Sequence, residues 1–349
     1  MSVLISIQHP AHVHFFKNII RELEKIGVDI HVVARDKDIA LKLLEKYNIE
    51  HTVLAGNYNN LRQLVTVQAK YELGILRAVQ KNKPEIMMAI GEPGIAHVSS
   101  VSSAKSYIFT DTENATLSNS ITFPFSDYVY TPECYQGRIQ GNHITYPGYH
   151  ELAYLHPNRF DPDPSVFDDL EINREDRIAI IRLVSWDAAH DVGDKGLAEP
   201  VEAISKLEKK GVEVLVSSET GLPSGLDHCH IDIPLEKIHD LMYYSDIFLG
   251  ESATMATECA ILGVPSIFVS SSHRGYTDEL ESEYGLVFNY SGPDRQKKGM
   301  KKALSILDDY NPSVWERRHK QLLNNKIDTT EFVLREVTEE LDGATFVPS

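Results

Sequence analysis

The chain has 349 residues, enough for one large domain or two of ordinary size, and its 42% apolar content is that of a globular protein with a full core. The formal net charge of −17 argues against a general nucleic-acid binder, which needs basic surface to neutralise phosphates, and against broad docking on anionic lipid. Cys134, Cys229 and Cys259 show neither disulfide nor zinc-site spacing, and no apolar run is long enough to span a bilayer, so a reducing cytoplasm is the simplest home.

The N-terminus MSVLISIQHP reads as a strand, Val3 to Ile7, rather than a signal peptide. Its loop is Gln8 to His14. A helix follows, with apolar residues at Phe15, Phe16, Ile19, Ile20, Leu23 and Ile26, and Gly27 ends it. Strand Val28 to Ala34 and helix Asp36 to Tyr47 complete a βαβα opening, which implies a parallel sheet covered by helices. His9, His12 and His14 have no cysteine or carboxylate nearby, so they do not read as a metal site. Their position is that of a ligand loop, because open α/β sheets bind beyond the carboxyl ends of their strands.

The polar loop Gly56 to Asn60 precedes a long helix, Leu61 to Lys81. Strand Glu85 to Ile90 ends in Gly91-Glu92-Pro93-Gly94, and strand Ser106 to Thr110 ends in Asp111-Thr112-Glu113. Strand-end carboxylates such as Glu92 and Glu113 can act as general bases. Asp111 reads equally well as a helix N-cap, a role that does not need Glu113. Strands Asp127 to Tyr130 and Ile144 to Tyr146 lead to Pro147-Gly148, and His156 to Pro164 has the composition of a linker or surface loop. The expected domains are 1–155, 156–325 and a returning helix in 326–349.

The second half restarts the pattern with strand Arg177 to Leu183. Arg182, near its end, can clamp a diphosphate with a planar fork of donors or form a salt bridge across the sheet. The polar loop Val184 to Gly196 adds Ser185, Asp187 and His190 as candidates, before helix Leu197 to Lys209. Strand Val212 to Ser217 and helix Leu235 to Tyr244 follow. The stretch Asp246 to Phe268, DIFLGESATMATECAILGVPSIF, reads as strand, tight loop, helix, strand. Gly250 lets the backbone turn, Ser252 can cap the helix, and Gly263 closes it. A polar loop feeding a helix start at the end of a parallel strand is a seat for phosphate. Glu258, two turns along, either accepts from both ribose hydroxyls or is an ordinary helix carboxylate. Strand Leu286 to Asn289 and helices Pro312 to Asn324 and Asp328 to Leu341 close the chain. No G-x-G-x-x-G follows either first strand, which disfavours a Rossmann dehydrogenase.

The run Ser252-Ala-Thr-Met-Ala-Thr-Glu258, with Ala260 and Gly263-Val264-Pro265, resembles the nucleotide-sugar signature of the glycosyltransferase-B superfamily. It is similar to UDP-N-acetylglucosamine 2-epimerase and to the N-acetylglucosaminyltransferase of lipid II synthesis. Nearly the whole chain resembles family 354 of domains of unknown function, an archaeal family regarded as glycosyltransferases. The resemblance implies an α/β protein of two Rossmann-like parallel-sheet domains facing a cleft, with the last helix crossing back to the first domain. It implies that Ser252, Ala253 and Thr254 hold the diphosphate and Glu258 the ribose. Arg182 and Ser185 would assist at the diphosphate, Arg274, Asp278 and Glu279 at the sugar, and backbone groups of His230 to Pro234 at the base. His12-Val13 matches a His-Val pair of the lipid II enzyme without its preceding glycines, so contact with acceptor or sugar is expected there. Glu113 stands where the epimerase carries a catalytic Glu, but the epimerase's Pro-Glu-Glu is replaced by Thr122 to Phe125.

The activity so implied is transfer of a sugar, UDP-N-acetylhexosamine being the first donor, to a hydroxyl or lipid-linked acceptor in surface glycan or glycolipid synthesis. Glu113, His12 or Glu92 would serve as base. No Asp-x-Asp stands at a suitable strand end, so no metal or other cofactor is expected. The rivals are a 2-epimerase or nucleotide-sugar hydrolase, and a non-catalytic sugar-nucleotide binder. The expected partner is the sugar-nucleotide donor, not nucleic acid. Weak membrane association is compatible with a lipid-linked acceptor, and nothing in the sequence sets an oligomeric state.

Overall fold

The structure, a computed structural model, describes residues 1–55, 61–170, 172–183, 200–218, 221–222 and 224–341. The chain divides into two compact units, Met1–Arg159 with Lys326–Ser349, and Phe160–Asn325.

The first unit runs β1 (Ser2–Ile7), α1 (Pro10–Lys25), β2 (Asp29–Arg35), α2 (Asp38–Lys46), β3 (His51–Ala55), α3 (Leu61–Asn82), β4 (Ile86–Ile90), α4 (Pro93–Ser99), β5 (Lys105–Phe109), α5 (Thr116–Thr122), β6 (Tyr128–Pro132), β7 (His143–Tyr146) and α6 (Leu152–Leu155). Its seven strands are parallel, in the order β3-β2-β1-β4-β5-β6-β7. The chain winds outward from β1 in one direction and from β4 in the other, so the switch point lies between β1 and β4. Every residue of β1 is buried, as a central strand covered on both faces requires.

Two expectations change here. The segment read as the loop Gln8 to His14 is helical from Pro10, because proline at the first helical position presets φ and His9 Nδ1 accepts the Ala11 N–H at 3.2 Å. His12 therefore stands in the first turn of α1, and His14 is buried, its ring 5.3 Å from that of Tyr154. The edge strand β3 was not anticipated. Its residues His51 to Leu54 are half-buried or exposed and lack the buried block that marks the central strands.

The second unit runs β8 (Arg177–Leu183), α7 (Pro200–Glu208), β9 (Val212–Ser218), α8 (Ile238–Tyr243), β10 (Ile247–Gly250), α9 (Ala253–Ile261), β11 (Ser266–Val269), α10 (Gly275–Glu279), β12 (Val287–Tyr290), α11 (Arg295–Asp308) and α12 (Pro312–Asn325). Its five strands are parallel, in the order β12-β11-β10-β8-β9, with the switch point between β8 and β10. The core is built by strand runs such as Ile178 to Ile181 and Ile247 to Leu249, buried to within 2%.

The chain then returns to the first unit as α13 (Thr329–Glu340). Asp328 caps this helix by accepting from the Glu331 N–H. Phe332, Val333, Leu334 and Val337 are buried, and the Phe332 ring stacks on Tyr146 of β7 at 5.0 Å. Ile327 N–H donates to the Pro147 carbonyl, Thr329 Oγ1 to Tyr149 and Thr330 Oγ1 to Ala153. Arg159 closes the join through Asp328 at 2.6 Å.

Candidate functional site

In the second unit, Gly250 ends β10 beside the end of β8. A Cβ there would stand 2.7 Å from Arg182 Cβ and 2.9 Å from the Arg182 carbonyl, so close backbone approach, rather than a positive φ, explains the glycine. Glu251 N–H reaches the Arg182 carbonyl at 3.4 Å. Ser252 is the N-cap of α9, its Oγ accepting from the Met255 N–H at 3.3 Å. The N–H groups of Ala253 and Thr254 occupy the first helical positions and so have no intrahelical acceptor. Gly263, at φ +85°, ends the helix.

Arg182 projects from the end of β8, and its Nη1 donates to Ser217 Oγ at the end of β9, 2.7 Å away. A guanidinium and a capped helix start therefore stand on adjacent strand ends at the switch point, and both favour an anion. Ser185, Asp187 and His190 lie outside the described residues.

Glu258 is 5% exposed, and its Oε1 lies 3.0 Å from Nε2 of His239, itself 3% exposed on α8. Ile231 N–H reaches the Val216 carbonyl at 3.4 Å, which engages a donor in the stretch expected to meet a base. Arg274 Nη1 donates to the His273 carbonyl at 2.9 Å, and Asp278 Oδ1 stands 3.5 Å from His273 Nδ1. Glu279 is half-buried at the end of α10.

In the first unit the candidate carboxylates separate. Glu92 is 2% exposed and caps α4, Oε1 accepting from the Gly94 N–H at 2.8 Å and from Gln68 Nε2 at 3.2 Å. Burial raises its pKa against those hydrogen bonds. Its geometry is that of a cap tying α4 to α3, not of a base presented to substrate. Glu113 Oε1 accepts from the Gln136 N–H at 3.2 Å, joining the loops after β5 and β6. Asp111 is not the N-cap of α5, a position held by Ala115. Its Oδ2 lies 3.2 Å from Nδ1 of His150, in the loop after β7, and its Oδ1 accepts from Thr112 Oγ1 at 2.8 Å.

His12 and His150 are both held below the usual histidine pKa. At His12 burial leads, followed by the charges of His9, His150 and Lys37. At His150 burial is opposed by Asp111. His12, His150 and Asp111 thus form one electrostatic cluster at the strand ends of the first unit.

A family model described as "Protein of unknown function (DUF354)" matches residues 1–290. The chain belongs to the DUF354 family. "Uncharacterized protein MJ0665" of Methanocaldococcus jannaschii is 24% identical over 282 residues, 76% of this DUF354 chain and 81% of that protein. Among solved structures, UDP-GlcNAc 2-epimerase from Neisseria meningitidis bound to UDP-GlcNAc matches with a TM-score of 0.72 at 13% identity, over 97% of this chain and 100% of that one. Spinosyn Forosaminyltransferase SpnP matches with a TM-score of 0.68 at 9% identity, over 98% and 100%. The DUF354 chain has the GT-B type of fold, two parallel-sheet α/β units.

Sequence reading of this DUF354 chain missed His150, His239 and Ser217. His150 stands just beyond a strand end, after Pro147-Gly148, and that position was its one available signal. It also passed over Glu208, His228 and Cys229, whose donor atoms lie within 4.8 Å of one another. There the Cys229 thiol donates to Glu208 Oε1 at 3.9 Å, and burial with that carboxylate pushes the thiol up to about 11.

Proposed function

We propose that this DUF354 protein binds a nucleoside diphosphate sugar on its second unit and transfers the sugar to a hydroxyl acceptor. The observation that carries the reading is the switch point between β8 and β10, where Arg182 and the start of α9 offer a guanidinium and open N–H groups on adjacent strand ends. These are donors a diphosphate uses, and they stabilise it as a leaving group as charge develops. Ser252, Ala253 and Thr254 take the phosphates. Glu258, which pairs with His239, takes the ribose. Arg274, Asp278 and Glu279 are assigned to the sugar. UDP-N-acetylhexosamine is the first donor to try, because structures of similar fold are described as UDP-GlcNAc 2-epimerases, one of them bound to UDP-GlcNAc. The acid–base group comes from the His12, Asp111 and His150 cluster or from Glu113. Arg182 and the helix start supply the positive field that a metal supplies elsewhere, so the reaction is proposed to be metal-independent.

A 2-epimerase is the second reading, favoured by the place of Glu113 just beyond β5. Incubation with UDP-GlcNAc separates the two, followed by phosphorus and proton NMR. Transfer predicts UDP and a glycoside when glycerol is added as a simple hydroxyl acceptor, unchanged by EDTA. Appearance of the C2 epimer without acceptor would establish the second reading instead. Binding with no product under any condition would leave a sugar-nucleotide binder.

A further inference from the structure

Two imidazoles reach the strand ends of the first unit, and their polar neighbours favour opposite tautomers. His150 Nδ1 lies 3.2 Å from the Asp111 carboxylate, whose negative charge favours the proton on Nδ1 and leaves Nε2 its lone pair. His12 Nδ1 faces the Gln8 N–H at 3.4 Å, so Nδ1 accepts and Nε2 carries the proton. His12 therefore offers a donor, and His150 an acceptor.

The His150 side chain is 8% exposed, and its Nε2 is buried with no hydrogen-bond partner among the described residues. Four residues earlier in the chain, on β7, the buried Tyr146 hydroxyl also lacks one among the described residues. Two orphaned polar atoms so close in the chain, both acted on by the Asp111 charge, mark a place where a polar ligand is wanted. The His150 ring is fixed before any ligand arrives. Phe15 packs against it edge-on at 4.9 Å, and Thr329 of α13 holds the preceding carbonyl, that of Tyr149, at 2.7 Å.

We propose that His150, oriented by Asp111, is the proton acceptor for the hydroxyl acceptor, and that His12 is a hydrogen-bond donor at the same place rather than the base. This rests on the transfer reading above. In the step, the acceptor oxygen forms a bond to the anomeric carbon as the bond from that carbon to the diphosphate oxygen breaks. The nucleoside diphosphate leaves with the electron pair. The hydroxyl proton passes to His150 Nε2, and the imidazolium is held by Asp111 until it loses the proton to solvent.

The surroundings suit that cycle. Asp111 comes from the loop after β5, Glu151 of His150's own loop acts on Tyr146, and from α1 comes the neutral His12, on which His9, His150 and Lys37 act. Burial keeps His150 neutral at pH 7, ready to accept.

Nitrogen NMR of wild-type protein carrying ¹⁵N-histidine tests the tautomers without any variant. The expected result is a bare Nε2 at His150 and a bare Nδ1 at His12, and the reverse would overturn the assignment. UDP release from UDP-GlcNAc with glycerol then tests the role. His150→Asn, which keeps an amide donor where Nδ1 stands, is expected to slow release by about 100-fold or more and to abolish the acid limb of the rate profile. UDP affinity, read by calorimetry, should stay within about twofold of wild type. His12→Gln, which keeps a donor, should lose about tenfold or less and retain that limb. A His150→Asn rate near wild type, or loss of the limb in His12→Gln alone, would overturn the proposal. Failure of wild type to bind UDP, or to release it from the sugar nucleotide, would instead overturn the transfer reading beneath it.

Discussion

His12 and His150 stay neutral in the folded chain because burial disfavours the imidazolium at both. The sign of the resulting pH dependence follows. Both native pKa values lie below 6.5, so between them and 6.5 the unfolded chain binds more protons. Their contribution to stability is complete above 6.5 and is lost as pH falls. Glu92 acts in the opposite sense, since its raised native pKa favours the folded state as its carboxylate takes a proton. Thermal unfolding should therefore show wild type losing more stability than His150→Asn between about pH 7 and pH 5.5. Equal losses would show that His150 ionises freely in the folded protein. At this scale the sequence disclosed residues whose signal is local. Ser252 and Glu258 could be read because one helix carries both. The partners that decide their geometry come from elsewhere: His239 from α8, and for Arg182 the Ser217 hydroxyl from β9. Asp111 could be seen as a strand-end carboxylate, but its pairing with His150 appears only when β5 and β7 are placed two strands apart in the sheet.

Elements differ in how plainly their ends are written. The start of α9 was legible because Ser252 supplies the cap and Gly250 the preceding close approach. Ser252→Ala should lower stability by about 1 kcal/mol in denaturant titration, and Ser252→Gly by only a few tenths of that. It should also weaken UDP binding, since the open N–H groups lose their fixed direction. An unchanged denaturation midpoint would show that the cap contributes nothing. The start of α1 was misplaced by several residues. Apolar periodicity begins at Phe15, whereas the helix is nucleated by Pro10 and the His9 side chain, which carry no periodic signal. Helix α11 went unread because RQKKGMKK is dense in lysine and carries Gly299. That glycine has a packing reason, since a Cβ there would meet Val269 at 2.9 Å.

The molecule as a whole is threaded so that its last helix belongs to its first unit. The doubling of the α/β pattern was legible, and the resemblance supplied the return of the tail, whereas the chain leaves the first unit only after Arg159. What the sequence could not supply was how α13 is held: three hydroxyl or backbone donors on the carbonyls of Pro147, Tyr149 and Ala153, and an ion pair from Arg159. A chain ending at Asn325 would lose the buried Phe332, Val333, Leu334 and Val337. At about 1.5–3 kcal/mol for each large apolar side chain, that is comparable with the whole stability of an ordinary domain. The shortened chain should lose the cooperative unfolding of its first unit in circular dichroism, while a wild-type-like transition would show α13 to be dispensable.

The central claim, a nucleoside diphosphate held at the switch point of the second unit, is tested most directly by calorimetric titration of UDP, GDP, CDP and dTDP into wild type and Arg182→Gln. The account predicts that one nucleotide binds wild type and that Arg182→Gln weakens it by about tenfold or more, roughly 1.4 kcal/mol. Absence of binding by all four to wild type, or equal binding to both proteins, would contradict it.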